Sequence, residues 1–105
     1  GKFQPAELAY AATLKLLPEN DARRADVTER LAASIYKQGE QLRNEDKLRL
    51  AAQHFLRVAQ VAPGSSIRYA ADYDAAAALI AVFTQLGEHG DDVAAQADQR
   101  LAHVR

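Results

Sequence analysis

The stretch GEQLRNEDKLRLAAQHFLRVAQVAP, residues 39–63, decides the fold. Its second part carries Leu48, Ala51, Ala52, Phe55, Val58 and Ala59 at steps of three and four. That spacing puts small and apolar side chains on one side of a helix. It predicts a helix over about 47–61, which Pro63-Gly64 breaks. Asn44-Glu45-Asp46 reads as the turn before it. Gly39 lies inside the preceding helical run, where Gly costs ~1 kcal/mol against Ala. Such a cost suggests that a neighbouring helix approaches closely there.

Outward from this stretch the same periodicity continues. Val27, Leu31, Ile35 and Leu42, with Ala32 and Ala33, predict a long helix over about 22–43, capped by Asn20 or Asp21. Upstream, Pro5 suits a first helical turn. Leu8, Ala12 and Leu16 share a face over about 5–17, and Pro18 ends that helix. Downstream, Ser65-Ser66 is expected to cap a helix over about 67–86, with Tyr69, Tyr73, Ala76, Ala77 and Ile80 at helical steps. Gly87 and Gly90 flank an expected turn, and Asp91-Asp92 opens an expected fifth helix through Val93, Ala97, Leu101 and Val104. Alanine recurs in pairs and in a run at Ala75–Ala78. It is the strongest helix former and lets helices approach closely. The fold class is all-α, built of antiparallel helix pairs on short turns.

The chain has 105 residues. At this size folding buries roughly two-thirds of the surface the unfolded chain exposes, enough for a core without staples. No Cys is present, so no disulfide or thiolate metal site can form. Charged residues make up 26% with a formal net charge of -1, so the basic excess of a nucleic-acid binder is missing. No apolar run approaches the ~20 residues of a membrane span, and no signal peptide is visible.

Gly39, Ala51, Phe55 and Pro63 stand at successive intervals of twelve, four and eight residues. This series resembles the tetratricopeptide repeat, which has Gly in its first helix and Ala, an aromatic and a closing Pro in its second. Ala6, Tyr10 and Pro18 repeat the intervals of four and eight, and Gly1 and Phe3 resemble the turn that opens such a second helix. The resemblance implies a right-handed solenoid of about five helices. Residues 1–18 would form the second half of a repeat, 19–63 a full repeat with a long first helix, and 64–105 a degenerate repeat. The repeat-packing residues would be Ala6, Tyr10, Pro18, Gly39, Ala51, Phe55 and Pro63, with neighbouring repeats as packing partners. Ile35, Gln38 and Leu42 replace the family's Trp, Leu and Tyr. Pro18 and Pro63 stand 45 residues apart, about three helical turns more than the usual ~34-residue repeat. Pro63-Gly64-Ser65-Ser66 with Ala70 and Ala71 resembles the repeat opening of bacterial envelope proteins of the outer-membrane assembly lipoprotein and TolA-binding coordinator type. A periplasmic or outer-membrane-associated scaffold is what that likeness implies, with a cytoplasmic one as the alternative.

In this family the first helices of each pair line a concave face that holds partners. By resemblance, Ala33, Tyr36, Glu40, Arg43 and Asn44 would bind a protein or peptide there, Tyr and Arg being the types most often energetic at interfaces. The alternative is a solvated helix face with a half-buried Tyr. Tyr36 and Glu40 do not supply the Lys and Asn clamp of the carboxylate-binding subclass. Tyr69 and Tyr73 are expected to pack between repeats, with a peptide groove as the alternative. His54, His89 and His103 lack metal-ligand spacing. Asp72 and Asp74 point to different sides of a helix and read as a solvated edge. Acidic residues follow Arg23-Arg24 at once, so that pair is no membrane patch. No phosphate loop or Ser nucleophile motif is present. No catalytic residue, metal ligand or cofactor site is therefore assigned. The function expected is a non-catalytic scaffold, against a helical accessory domain of a larger enzyme or a purely structural repeat segment. Uncovered apolar end faces should make the chain self-associate or leave it marginally stable in isolation.

Overall fold

The structure, a computed structural model, describes the backbone of residues 2–104 and the side-chain surroundings of residues 2–86. It has four helices: α1 (Phe3–Leu16), α2 (Arg23–Asn44), α3 (Leu48–Val61) and α4 (Arg68–Val104), with no strand among the described residues. Each helix packs mainly on its neighbour in sequence, and α2 also touches α4.

The helix ends follow from local chemistry. Leu17 is extended, with φ −87° and ψ 135°, as the following Pro18 requires. Two carbonyls left over at the end of α1 accept hydrogen bonds from one side chain: Arg24 Nη1 donates to Leu14 O at 2.7 Å and to Leu17 O at 2.8 Å. A cation at a helix C-terminus is also favoured by the dipole. Asp21 Oδ1 accepts the Arg23 backbone N–H at 2.8 Å and so caps α2. The turn from α2 to α3 closes with Lys47 N donating to Leu42 O at 2.9 Å and Asp46 N to Arg43 O at 3.0 Å. This is a Schellman ending, and its left-handed residue is Asp46, at φ 61°. At the start of α4, Ser65 Oγ accepts the Ile67 N–H at 3.0 Å. Glu29 of α2 reaches the same place. Its carboxylate accepts Ser66 N–H at 2.8 Å and Ser65 Oγ–H at 2.7 Å. An acid from the long helix thus caps the N-terminus of the next-but-one helix, where the dipole favours negative charge.

The core forms where α2, α3 and α4 meet: Leu31, Ile35, Phe55 and Val58 are the largest fully buried side chains. Burying each contributes about 1.5–3 kcal/mol relative to leaving it in water. Gly39 lies against Phe55, and a Cβ there would sit 2.6 Å from Phe55 Cε1 and 2.7 Å from Cδ1. The close approach expected at Gly39 is therefore present, and the neighbour that makes it is the Phe55 ring. Tyr10, Ala11 and Leu14 bring α1 onto this core.

Three expectations differ from the structure. The face of α1 carrying Leu8 and Leu16 is not the packed one: these residues are 65% and 84% exposed. Tyr10 outweighs them because its ring reaches α2, and the helix turns that side inward. On α4 the buried residues among the described side chains are Ala71, Ala75 and Ala78, while Tyr69 and Tyr73 are 78% and 76% exposed. Alanines let α4 lie close against α3, and this turns both tyrosines outward. Finally, α4 continues through Gly87 and Gly90, so four helices stand where five were expected. Two glycines cost the helix ~2 kcal/mol against Ala, but each further residue adds a backbone hydrogen bond once a helix is nucleated. The side chains of Val93, Ala97, Leu101 and Val104 lie outside the described residues, as do those of His89 and His103.

Candidate functional site

The residues singled out on the long helix meet α4 along a half-open seam. Tyr36, one helical turn before Glu40 and two before Arg43, donates its hydroxyl to Asp74 Oδ2 of α4. Arg43 Nη1 lies 3.7 Å from the other oxygen of Asp74. Glu40 stands between them, 3.0 Å from Lys37 Nζ and 3.7 Å from Arg43 Nη2. Phe55 forms the floor: the Tyr36 ring lies 5.2 Å from it, tilted by 47°, and the Arg43 guanidinium 5.5 Å above its centroid. The last contact is a cation–π interaction.

Asp74 thus has a definite role where a solvated edge was expected. It joins α4 to α2 through two side chains. Its acceptor position pushes the Tyr36 phenol up to about 12, with burial adding to the effect. Tyr36 therefore stays a neutral donor across the ordinary pH range. The seam is not sealed: Arg43 keeps 39% of its side-chain surface and Asp74 18%. A polar network with an aromatic floor and a half-exposed guanidinium can take up a carboxylate or a backbone carbonyl from a partner. Among the described residues no three His, Cys, Asp or Glu come together as metal ligands.

The five expected binding residues do not act as one surface. Tyr36, Glu40 and Arg43 come together. Ala33 lies around the helix, in a groove against α1 with Phe3 and Tyr10. Asn44 is exposed at the end of α2. Of the repeat-packing residues, Gly39, Ala51 and Phe55 are buried together, whereas Pro18 and Pro63 lie exposed at helix ends. Ala6 and Tyr10 are half-buried and line the α1/α2 groove.

A second polar cluster was not anticipated. Glu7 of α1 pairs with Arg57 of α3 and accepts a hydrogen bond from Gln38 Nε2 of α2 at 2.7 Å. Arg57 Nη1 lies 3.0 Å from His54 Nδ1, which accepts a hydrogen bond from it when the neutral ring carries its proton on Nε2. Three helices are joined here, across a cavity of about 480 Å³. Burial opposes the Glu7 charge, but the hydrogen bonds from Arg57 and Gln38, with the charges of Arg57 and His54, outweigh it and hold the carboxyl below its ordinary value. Burial, with Arg57 beside it, pulls the His54 pKa down. Nothing in the spacing of Glu7, Gln38 and Arg57 announces this cluster, since it exists only once three helices pack.

Comparison of the chain with protein families, with curated proteins and with solved structures found no match. No helix among the described residues is long and apolar enough to cross a membrane.

Proposed function

We propose that the chain is a tetratricopeptide-type helical repeat segment that serves as a non-catalytic protein-binding scaffold. The observation that carries this reading is the seam of Tyr36, Glu40, Arg43 and Asp74. It is held by α2 and α4, which the repeat pattern makes the first helices of successive pairs and hence the lining of a concave face. Packing supports the pattern at its most specific point, since Gly39 and Phe55 touch and both are buried. In this reading the pairs build a right-handed solenoid, and α4 with its continuation is the degenerate third unit.

The partner is a protein or peptide that offers a carboxylate or carbonyl to Arg43. Placement in a bacterial envelope rests on the likeness of the Pro63–Ala71 opening alone. The competing readings are an accessory segment of a larger enzyme and a purely structural repeat. Affinity capture with the full-length protein separates them, using an Arg43→Gln variant that removes the guanidinium the partner would meet and leaves the Lys37–Glu40 and Tyr36–Asp74 contacts in place. A partner retained by the natural protein and lost by the variant supports a scaffold. Equal capture by both moves the binding face elsewhere, and no partner for either favours the structural segment.

A further inference from the structure

Helix α1 is held differently at its two ends. None of its side chains is fully buried. At the C-terminal end Leu14 packs against the core, and Arg24 donates to two carbonyls at 2.7 and 2.8 Å. A guanidinium keeps its charge at any ordinary pH, so acid leaves this end alone. Over residues 3–9 only Ala6 and Glu7 are half-buried, and Ala6 has little surface to bury. The ties there are polar. Gln38 Nε2 of α2 donates to Glu7 Oε1 at 2.7 Å and to Phe3 O at 3.4 Å. Glu7 reaches α3 through its pair with Arg57, and His54 Nδ1, 3.0 Å from Arg57 Nη1, steadies that guanidinium.

We propose that α1 is a pH-released helix: a proton taken up by His54 frees residues 3–10 from α2 and α3, while Arg24 keeps the far end of the helix in place. The proton enters on Nδ1, because accepting from Arg57 requires the tautomer with Nε2–H. Nδ1–H and Nη1–H then face each other as donors on two cations, 3.0 Å apart. Arg57 must turn away, and Glu7 loses its partner on α3. Glu7 itself works against this, since its charge favours a charged ring, but burial and Arg57 outweigh it. Its oxygens already accept from Gln38 and Arg57. From α2, Glu45 lines the adjoining cavity of about 230 Å³, half in water and 3.6 Å from Lys47. No α4 residue lines either cavity beside the ring.

In the closed form the ring holds a proton less tightly than in water, where it takes one up near 6.5. Each opening therefore binds up to one proton as pH falls below that value, which raises the opening constant up to about tenfold between pH 7.5 and 5.5. Glu7 titrates below this window, so the two effects separate. The seam of Tyr36, Arg43 and Asp74 shares no residue with this latch, so the proposal stands or falls apart from the scaffold reading.

Amide hydrogen exchange of the full chain, followed by NMR and corrected for the intrinsic rate, tests it. From pH 7.5 to 5.5 the opening constant for the amides of residues 7–10 should rise several-fold, up to about tenfold. The amides of Leu31, Ile35 and Phe55 should keep theirs. The rise should follow the titration of the His54 ring protons and vanish in His54→Gln, whose amide oxygen can still accept from Arg57. If circular dichroism shows helix lost in that variant, the coincidence of the two curves in the natural chain decides. The same opening constant at both pH values would overturn the proposal, as would a rise that persists in His54→Gln or an equal rise at Leu31 and Phe55. So would a His54 ring that titrates without loosening residues 7–10.

Discussion

Replacing Gly39 by Ala sets two opposed effects against each other. Ala is favoured over Gly inside a helix by ~1 kcal/mol, so an unhindered site would gain that much. Here the new methyl would lie 2.6 and 2.7 Å from two Phe55 ring carbons and 3.1 Å from a third, against about 3.5–4.0 Å for an optimal carbon contact. The ring cannot simply swing away. Phe55 is fully buried, with the Tyr36 ring on it at 5.2 Å and the Arg43 guanidinium over it at 5.5 Å. Overpacking of this kind costs about 1–3 kcal/mol. Contacts below 3 Å to a pinned ring put the cost in the upper half of that range, so after the propensity gain a net loss of about 1–2 kcal/mol remains, which lowers Tm by about 4–16 °C in a domain of this size. Thermal and urea unfolding followed by far-ultraviolet circular dichroism would read it. The partner variant Phe55→Leu removes the ring edge, and in that background Gly39→Ala should be neutral or stabilising. A Gly39→Ala chain at least as stable as the natural one would refute the close approach, and with it the packing that the repeat pattern requires.

Other perturbations follow from the polar contacts. Asp46 holds a left-handed conformation at φ 61°, so Asp46→Gly should raise stability by about 0.5–1 kcal/mol; an unchanged urea midpoint would count against the turn geometry. Acid should loosen the Glu7–Arg57–His54 cluster. His54 has its pKa lowered from 6.5, so its contribution is complete above that value and is lost as pH falls below it. Glu7 is lowered from 4.5, so its contribution is lost as pH falls through its folded value. The urea midpoint should begin to drop just below pH 6.5 and drop further below 4.5, the first step vanishing in His54→Gln; a flat profile from pH 7 to 4 would contradict the cluster. In alkali the sign reverses: Tyr36 is raised from 10.0 to about 12, so its contribution holds below 10 and is lost as pH rises through 12. Phenolate absorbance should show a late step for Tyr36, and Tyr36→Phe should abolish that step.

Much of the fold was legible because its determinants are local. Pro18 and Pro63 end helices wherever they stand, and the Leu31, Ile35, Phe55 and Val58 spacing marks buried faces before any neighbour is known. Gly39 was legible for the opposite reason, as a residue that makes no local sense and so points to a close neighbour. The faces of α1 and α4 were not readable in this way. Leu8 and Leu16 are more apolar than Tyr10, and Tyr69 and Tyr73 offer more apolar surface than Ala71 and Ala75. Which side turns inward depends on the space that α2 and α3 leave, and close packing chose the alanines on α4. In the candidate site, Tyr36, Glu40 and Arg43 were visible from their place in the repeat. Asp74 was not, because its role is set by a helix that arrives about thirty residues further on. Arg24 and Glu29 likewise look like ordinary surface charges until the helix ends they cap are brought beside them.

The central claim is that α3 folds back on α2 at Gly39 and that α4 stacks on the same helix through Asp74. Proton–proton contacts in solution by nuclear Overhauser spectroscopy test it most directly. The account predicts a strong contact from the Gly39 α-protons to the Phe55 ring, those protons being shifted by the ring current, and a second from the Tyr36 ring to the Asp74 β-protons. Helical α2, α3 and α4 without these two contacts would contradict it.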